Sequence, residues 1–131
     1  MALIAFDDAP TRLLGLIPLA LKQNMEIVLV CDIVGNDIPE VVEVQPLKAL
    51  KDVLTWADYA AVDIARENLE EGRKKIGFTP QAKALYEAQI LIRTSMPCGA
   101  LADCGVCAII VDHEWKMICK DGPVFNFREL Q

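Results

Sequence analysis

The first part of the chain alternates short apolar runs with segments of helical periodicity. The apolar runs at 2–6, 27–31 and 59–62 are short and bounded by polar or turn-forming residues, which is typical of buried strands. Residues 11–23 carry leucine and isoleucine at helical spacing and predict a helix with a kink at Pro18 in its middle.

Further elements continue this alternation. Residues 41–44 are short and extended, 47–55 predict a helix, and 64–76 predict a polar-faced helix that Gly77 terminates. The order is therefore strand, helix, strand, extended piece, helix, strand, helix. Such an order predicts an α/β fold with a small parallel, Rossmann-like sheet and packed helices.

The alternation of strand and helix patterns ends near residue 80. Residues 89–94 read as a strand, and a cysteine-rich loop follows. Residues 107–112 and 115–119 predict a hairpin that turns at positions 113–114, and the remaining tail is predicted to be irregular. We therefore predict two domains: a Rossmann-like α/β domain over 1–80, a degenerate nucleotide-binding half, and a small cysteine-rich β domain over 81–131.

Charge and hydropathy exclude several classes of partner. The net charge is −6 and the basic residues are scattered, with the tightest run, 73–75, on a predicted helix, so we expect no nucleic-acid binding. Polar residues interrupt the most apolar stretch, 13–30, so we expect no membrane span. The mean hydropathy of +0.29 indicates exposed apolar surface, hence a partner interface or a homodimer.

The expected compartment of the protein decides how its five cysteines are interpreted. The first residues lack the basic region of a signal peptide, which predicts a cytoplasmic protein. Thiols stay reduced there, and five cysteines fit a disulfide framework poorly. Clustered cysteines then indicate metal binding or catalysis. Cys31 stands apart at the end of an apolar run and is predicted to be a buried small hydrophobe.

Four cysteines have a spacing that suits a metal centre. They follow the pattern Cys98-x5-Cys104-x2-Cys107-x11-Cys119. A [2Fe–2S] cluster needs four thiolates, two at each iron, and a loop that aims backbone N–H groups at the sulfurs. The glycines that follow Cys98 and Cys104 permit the backbone conformations that such a loop requires.

The spacing alone leaves alternatives open. Plant-type [2Fe–2S] loops have four residues in the first gap rather than five. A structural zinc site is the main competitor, although zinc ribbons usually present two paired-cysteine knuckles. A site without metal is the third alternative. A Rieske centre needs two histidines, and the chain has only His113.

The remaining candidate residues have ordinary explanations. His113 lies in the predicted hairpin turn and is expected to be exposed. Trp115 is expected to pack over the cysteine loop or at an interface. Asp7 and Asp8 follow the first strand, where α/β proteins place ligands, but a turn or a helix cap is the preferred interpretation. The sequence contains no convincing set of residues for proton transfer or nucleophilic catalysis.

The segment MPCGALADCGVC, the strand CAIIVD and the ending CKDGPVFNF resemble a known family. They are similar to the C-terminal iron–sulfur domain of the electron-transfer subunit of class B dihydroorotate dehydrogenase, a ferredoxin–NADP reductase-like flavoprotein. The resemblance implies that Cys98, Cys104, Cys107 and Cys119 hold a [2Fe–2S] cluster. It also implies an FAD barrel, an NAD-binding half and electron relay to a flavoprotein catalytic subunit.

The chain departs from that family in three places. There is no room for the FAD barrel before residue 1. The segment FDDAP replaces the glycine-rich turn that binds pyrophosphate, and two aspartates would repel phosphate. The segment YAAVD stands where the family has C-G-P. We therefore expect neither FAD nor NAD in this chain.

The predicted function is iron–sulfur electron transfer. We expect a subunit, more a relay than an enzyme in its own right, that passes single electrons to or from a flavoprotein similar to dihydroorotate dehydrogenase. One alternative is a structural or regulatory module with zinc or no metal in the cysteine site. The other is a fragment of an FAD- and NAD-linked reductase subunit.

Overall fold

A six-stranded sheet forms the centre of the molecule. The computed structural model describes residues 1–35, 37–77 and 87–130. Its strands are β1 (Ala2–Ala5), β2 (Val28–Val30), β3 (Glu43–Gln45), β4 (Tyr59–Ala65), β5 (Glu87–Arg93) and β8 (Val124–Asn126). They lie in the order β3-β2-β1-β4-β5-β8, with parallel pairs except for the antiparallel pair of β5 and β8. The predicted parallel α/β sheet is thereby confirmed.

Apolar side chains cover both faces of the sheet, as expected for parallel strands flanked by helices. Alternate residues of β1 divide between the faces: Ile4 packs with the residues of α2 and α3, and Leu3 packs with those of α1. The helices are α1 (Ile17–Lys22), α2 (Leu50–Trp56), α3 (Leu69–Ile76) and α4 (Ile118–Asp121).

Two of the predicted helices are shorter than the apolar pattern suggested. The helix predicted over 11–23 is α-helical only from Ile17, after two turns of 3₁₀-helix. Pro18 lies in the first turn of α1, where its missing N–H and fixed φ are tolerated, so the predicted kink was wrong. The helix predicted from residue 64 begins at Leu69, because β4 continues to Ala65. Gly77 ends α3 in the left-handed conformation (φ 66°), as predicted.

A hairpin forms a second, two-stranded sheet. It consists of β6 (Ala108–Val111) and β7 (Glu114–Met117), with Ala108 opposite Met117. Its turn lies one residue earlier than predicted: Asp112 and His113 both have positive φ, 49° and 64°. That combination matches the tight two-residue turn whose twist suits a hairpin. His113 is exposed, as predicted.

The tail is more ordered than the sequence suggested. The prediction of an irregular close was wrong, because β8 joins the sheet and places Phe125 opposite Ile90 of β5. Asp112 donates its N–H to Glu129 O at 2.6 Å, so the tail also holds the hairpin. The sheet thus takes strands from both sides of the predicted domain boundary, whose own position near residue 80 lies outside the described residues.

The described part of the chain contains no helix long and apolar enough to cross a membrane.

Candidate metal centre

The cysteine loop between β5 and β6 has an unusual backbone. Four of its residues adopt positive φ angles: Gly99 (63°), Ala100 (66°), Ala102 (63°) and Gly105 (69°). The two glycines fulfil the prediction made from the sequence. The left-handed conformation costs about 1–2 kcal/mol for a residue with a Cβ, so the two alanines are strained. Strain of this kind concentrates at functional sites and turns successive N–H groups toward one centre.

The first thiol of the loop receives several of those N–H groups. The Sγ of Cys98 accepts hydrogen bonds from the backbone N–H groups of Asp103, Cys104 and Leu101. The N–H of Asp103, together with the Cys104 thiol, lowers the pKa of Cys98 to about 6. Such donors stabilise the thiolate, which is the form that binds metal. The loop is therefore built to hold a negatively charged sulfur at Cys98.

The four predicted ligands lie in two neighbouring pairs. The Cys104 thiol is close enough to Cys98 to lower the pKa of Cys98. The Sγ atoms of Cys107 and Cys119 are 3.3 Å apart. The hairpin creates the second pair, because Ile118 donates its N–H to Cys107 O at 3.2 Å and so sets the residue before Cys119 against Cys107.

The two pairs also face each other. The Cys119 Sγ accepts a hydrogen bond from the N–H of Ala102, which lies in the loop between Cys98 and Cys104. The hydrogen bond to Cys107 raises the pKa of Cys119, and the charge of Cys98 adds to that effect. The N–H of Cys119 lowers the pKa of Cys107. The structure therefore brings together all four cysteines that the sequence singled out.

The two thiol pairs can be compared with the ligand sets that a single ion and a two-iron cluster require. Among residues 1–35, 37–77 and 87–130, no three or more Cys, His, Asp or Glu side chains are arranged to hold one metal ion. A structural zinc ion needs four donors that converge on one point. A [2Fe–2S] cluster takes two thiolates at each iron, which corresponds to two adjoining pairs. The donor set and its arrangement therefore fit that group.

The fifth cysteine lies elsewhere. Cys31 follows β2 and is 2% exposed. It packs with Leu29 on the face of the sheet that α1 covers. Burial raises its pKa, which opposes formation of the thiolate. The prediction of a buried, non-ligating thiol agrees with this position.

A second charged cluster lies where β1, β4 and β5 end. Arg93 contacts Asp7 and donates through Nε to Asp63 Oδ1 at 2.6 Å. The carboxylate of Asp7 also accepts from Ala65 N at 2.9 Å and from Asn68 Nδ2 at 2.8 Å. Asp63 is 1% exposed. This is the sheet edge at which parallel α/β proteins bind ligands, and here the protein's own carboxylates take its N–H and guanidinium donors.

Sequence reasoning missed most of this charged cluster. Asp7 and Asp8 were interpreted as a turn or a helix cap. Asp8 does accept the N–H of Ala9 at 2.8 Å, but Asp7 binds Arg93, which lies 86 residues away. The signal that could have found it was a charged residue at the end of each of three parallel strands, since those ends meet at one edge.

Trp115 lies on β7 and is 72% exposed. It lines a surface cavity together with Val106 of the cysteine loop, and its predicted role over the loop or at an interface stays a prediction. Leu101 and Val106, both in the cysteine loop, are 71% and 43% exposed. Exposed apolar side chains therefore lie in the cysteine loop and on the hairpin that follows it.

Comparison with known proteins gives one family and one solved structure. Residues 94–131 match the family described as the iron–sulfur cluster binding domain of dihydroorotate dehydrogenase B. No curated protein matches the chain. Among solved structures, the whole chain (100%) aligns with 53% of a chain from the structure of an NADH-dependent reduced ferredoxin-NADP oxidoreductase, a protein of flavin-based electron bifurcation, with a TM-score of 0.70 and 14% identity.

These findings confirm the family resemblance. The C-terminal part of the chain, residues 94–131, is similar to the iron–sulfur cluster binding domain of dihydroorotate dehydrogenase B. The chain shares its α/β fold with that solved chain. The chain spans about half the length of the solved chain that it matches.

Proposed function

We propose that this protein is an iron–sulfur electron-transfer subunit that holds a [2Fe–2S] cluster at Cys98, Cys104, Cys107 and Cys119. The observation that carries the proposal is the pairing of these thiols within the matched domain: Cys98 with Cys104, and Cys107 with Cys119 at 3.3 Å. When bound, such a cluster supplies one-electron transfer.

The loop contributes the electrostatic setting. The N–H groups of Leu101, Asp103 and Cys104 point at the Cys98 sulfur, and that of Ala102 points at the Cys119 sulfur. Hydrogen bonds to cluster sulfurs and solvent exposure are the means by which proteins set a cluster's potential. Cys104 is exposed and Cys107 is buried, so the two pairs differ in their access to solvent.

The proposed partner is a flavoprotein similar to the dihydroorotate dehydrogenase catalytic subunit. The match to a domain of dihydroorotate dehydrogenase B supports this choice. The exposed side chains of Leu101, Val106 and Trp115, in the cysteine loop and on the hairpin, support a protein partner at this end of the molecule. A homodimer and a cytoplasmic location stay predictions; the five free thiols are what a reducing compartment maintains.

We also propose that the α/β part serves as a scaffold and binds neither NAD nor FAD. The carboxylate of Asp7 accepts the N–H of Ala65 and contacts Arg93, the donors that a phosphate would otherwise use. Asp63 adds a buried carboxylate at the same edge. Repulsion between these carboxylates and a pyrophosphate supports the proposal.

The experiment is a spectrum of the protein purified without oxygen, together with iron, sulfide and zinc analysis. We expect a brown protein with about two irons and two sulfides per chain, as the cluster type requires, whose visible bands bleach on reduction with dithionite. A colourless protein with one bound zinc would support the structural alternative. A protein without metal after reconstitution with iron and sulfide would overturn the proposal.

A further inference from the structure

The peptide that follows Cys107 is held by an arginine from the α/β part of the chain. Arg66 lies in the 3₁₀ turn Arg66–Asn68 between β4 and α3. Its Nη2 donates a hydrogen bond to Ala108 O at 2.7 Å, and both residues are half-buried. The residues are 42 positions apart, so this bond joins the cysteine-rich part to the sheet.

The geometry of the hairpin explains why that carbonyl needs a donor. Cys107 and Ile118 form a hydrogen-bonded pair across the hairpin, through Ile118 N and Cys107 O at 3.2 Å. In an antiparallel pair the next residue directs its N–H and C=O away from the partner strand. The N–H of Ala108 accordingly donates to Gly105 O at 3.1 Å, and its C=O accepts from Arg66.

The same peptide therefore links both sides of the metal centre. Gly105 stands between Cys104 and Cys107 and has a left-handed backbone (φ 69°). A shift of the Ala108 peptide would move the Gly105 carbonyl and the Cys107 backbone together. Ile109 packs against the core from one face of β6, and β7 pairs with one edge of that strand. The Arg66 guanidinium binds the opposite edge.

We infer that Arg66 is a positioning residue for the metal centre: its hydrogen bond to Ala108 O fixes the Cys107 segment against the α/β sheet. The expected effect of Arg66 on a bound cluster rests on the proposed function. Its expected effect on the accessibility of the Cys107 thiol rests on the geometry alone. Loss of the bond leaves a half-buried carbonyl without its charged donor and loosens the segment that buries Cys107.

The test compares Arg66→Met with Arg66→Lys and a matched control, Arg73→Met. Methionine retains much of the apolar stem but cannot donate, whereas lysine can still reach the carbonyl with one ammonium N–H. Arg73 lies on α3, where its Nη1 pairs with Glu70 Oε1 at 3.1 Å. The control therefore removes the same charge from a guanidinium whose ion-pair partner lies on its own helix.

The first measurement uses the metal-free, reduced protein. Each thiol is alkylated with iodoacetamide under native conditions, and the modified cysteines are identified by mass spectrometry. We expect Cys107 in Arg66→Met to react about tenfold faster than in the parent chain, the effect of losing one charged hydrogen bond on local opening. Arg66→Lys should restore most of the protection, and Arg73→Met and the rate at Cys31 should not change.

The second measurement uses the reconstituted protein. We expect the reduction potential of Arg66→Met to move to a more negative value and its electron paramagnetic resonance signal to change shape, because a positive charge and a fixed ligand segment are lost near the cluster. The reduction potential of Arg66→Lys should lie between those of the parent chain and Arg66→Met.

The outcomes separate this inference from the proposed function. Unchanged alkylation of Cys107 in Arg66→Met overturns the positioning role, whether or not the protein holds iron. A parent chain that never binds iron overturns the proposed function, while the alkylation result still decides on Arg66. Faster alkylation of both Cys107 and Cys31 would indicate general unfolding and would count against a specific role.

Discussion

The chain has two groups of polar side chains, a charged cluster at the ends of three strands and the thiols of the cysteine loop. The two groups differ in the hydrogen-bond and ion-pair partners of their side chains. At the carboxyl ends of β1, β4 and β5, Asp7 and Asp63 are bound by Arg93 and by backbone donors. In the cysteine loop, backbone N–H groups point at Cys98 and Cys119, and each of these thiols has another thiol as its side-chain partner.

The difference shows which group is available for a ligand. The buried charges at the sheet edge pair with each other, and removing one partner leaves the other buried without its counter-charge. Thiols that collect N–H donors and approach each other are prepared for a group that the protein alone does not supply. The sheet edge that binds ligands in other parallel α/β proteins here holds carboxylates paired with Arg93, whereas the loop that follows β5 carries the thiols to which we assign the proposed function.

The largest expected effect comes from removing a thiol of the loop. We expect Cys119→Ser to lower the iron content of the reconstituted protein at least tenfold, because one iron would lose a thiolate ligand. Iron per chain is measured by colorimetric assay after gel filtration. Cys31→Ser is the control and should retain the parent iron content. Equal iron in Cys119→Ser and the parent chain would refute the ligand assignment.

The next effect is on stability, at the other group. We expect Asp63→Asn to lower the free energy of unfolding by about 2–4 kcal/mol, because it leaves the guanidinium of Arg93 partly unpaired beside a buried amide. Urea denaturation followed by circular dichroism measures this. The control is Asp8→Asn, since Asp8 is 47% exposed and its loss should change little.

The Asp63 substitution also sharpens the contrast between the two groups. If the charged cluster only supports the fold, folded Asp63→Asn protein should hold as much iron as the parent chain. A loss of iron in fully folded protein would show that the two groups are coupled through Arg93 and the residues between it and Cys98.

The third effect is the reactivity of Cys98. Its pKa is lowered to about 6 by hydrogen bonds, so its thiolate forms as the pH rises through about 6, well below the pH at which an ordinary thiol ionises. At pH 7 we expect Cys98 in the metal-free protein to react with iodoacetamide about tenfold faster than an exposed free cysteine, since lower nucleophilicity offsets part of the gain in thiolate.

The pH dependence of that rate is the decisive measurement. The rate at Cys98 should rise from pH 5 to pH 7 and then level off. The rate at Cys119, whose pKa is raised by its hydrogen bond to Cys107, should keep rising above pH 8. Parallel profiles at the two thiols would contradict the assigned hydrogen bonds.

The smallest effect concerns the loop backbone. A Cβ at Gly105 would meet no atom within 4 Å, so Gly105→Ala costs only the backbone strain of φ 69°, about 1 kcal/mol. The opposite change, Ala102→Gly, removes strain of the same kind at φ 63°. We expect slightly faster iron loss to a chelator in Gly105→Ala and slightly slower loss in Ala102→Gly. The same direction in both variants would show that strain is not the cause.

The sequence by itself determined the fold class and the four candidate ligands. Apolar runs of strand length, separated by helical periodicity, are enough to predict a parallel α/β sheet, because each strand must be buried on both faces. The spacing from Cys98 to Cys119 and the glycines between them identified the loop. The chemistry of thiols and the backbone freedom of glycine are local properties that a sequence displays directly.

The tertiary structure decided what depends on distant residues. The β8 strand was unrecognised because three residues carry little periodicity, and only the edge of β5 makes them a strand. The pairing of Asp7 with Arg93 and of Arg66 with Ala108 arises because strand ends and a hairpin edge meet in space. Side chains whose roles depend on contacts between distant segments leave no local sequence pattern that would predict those roles.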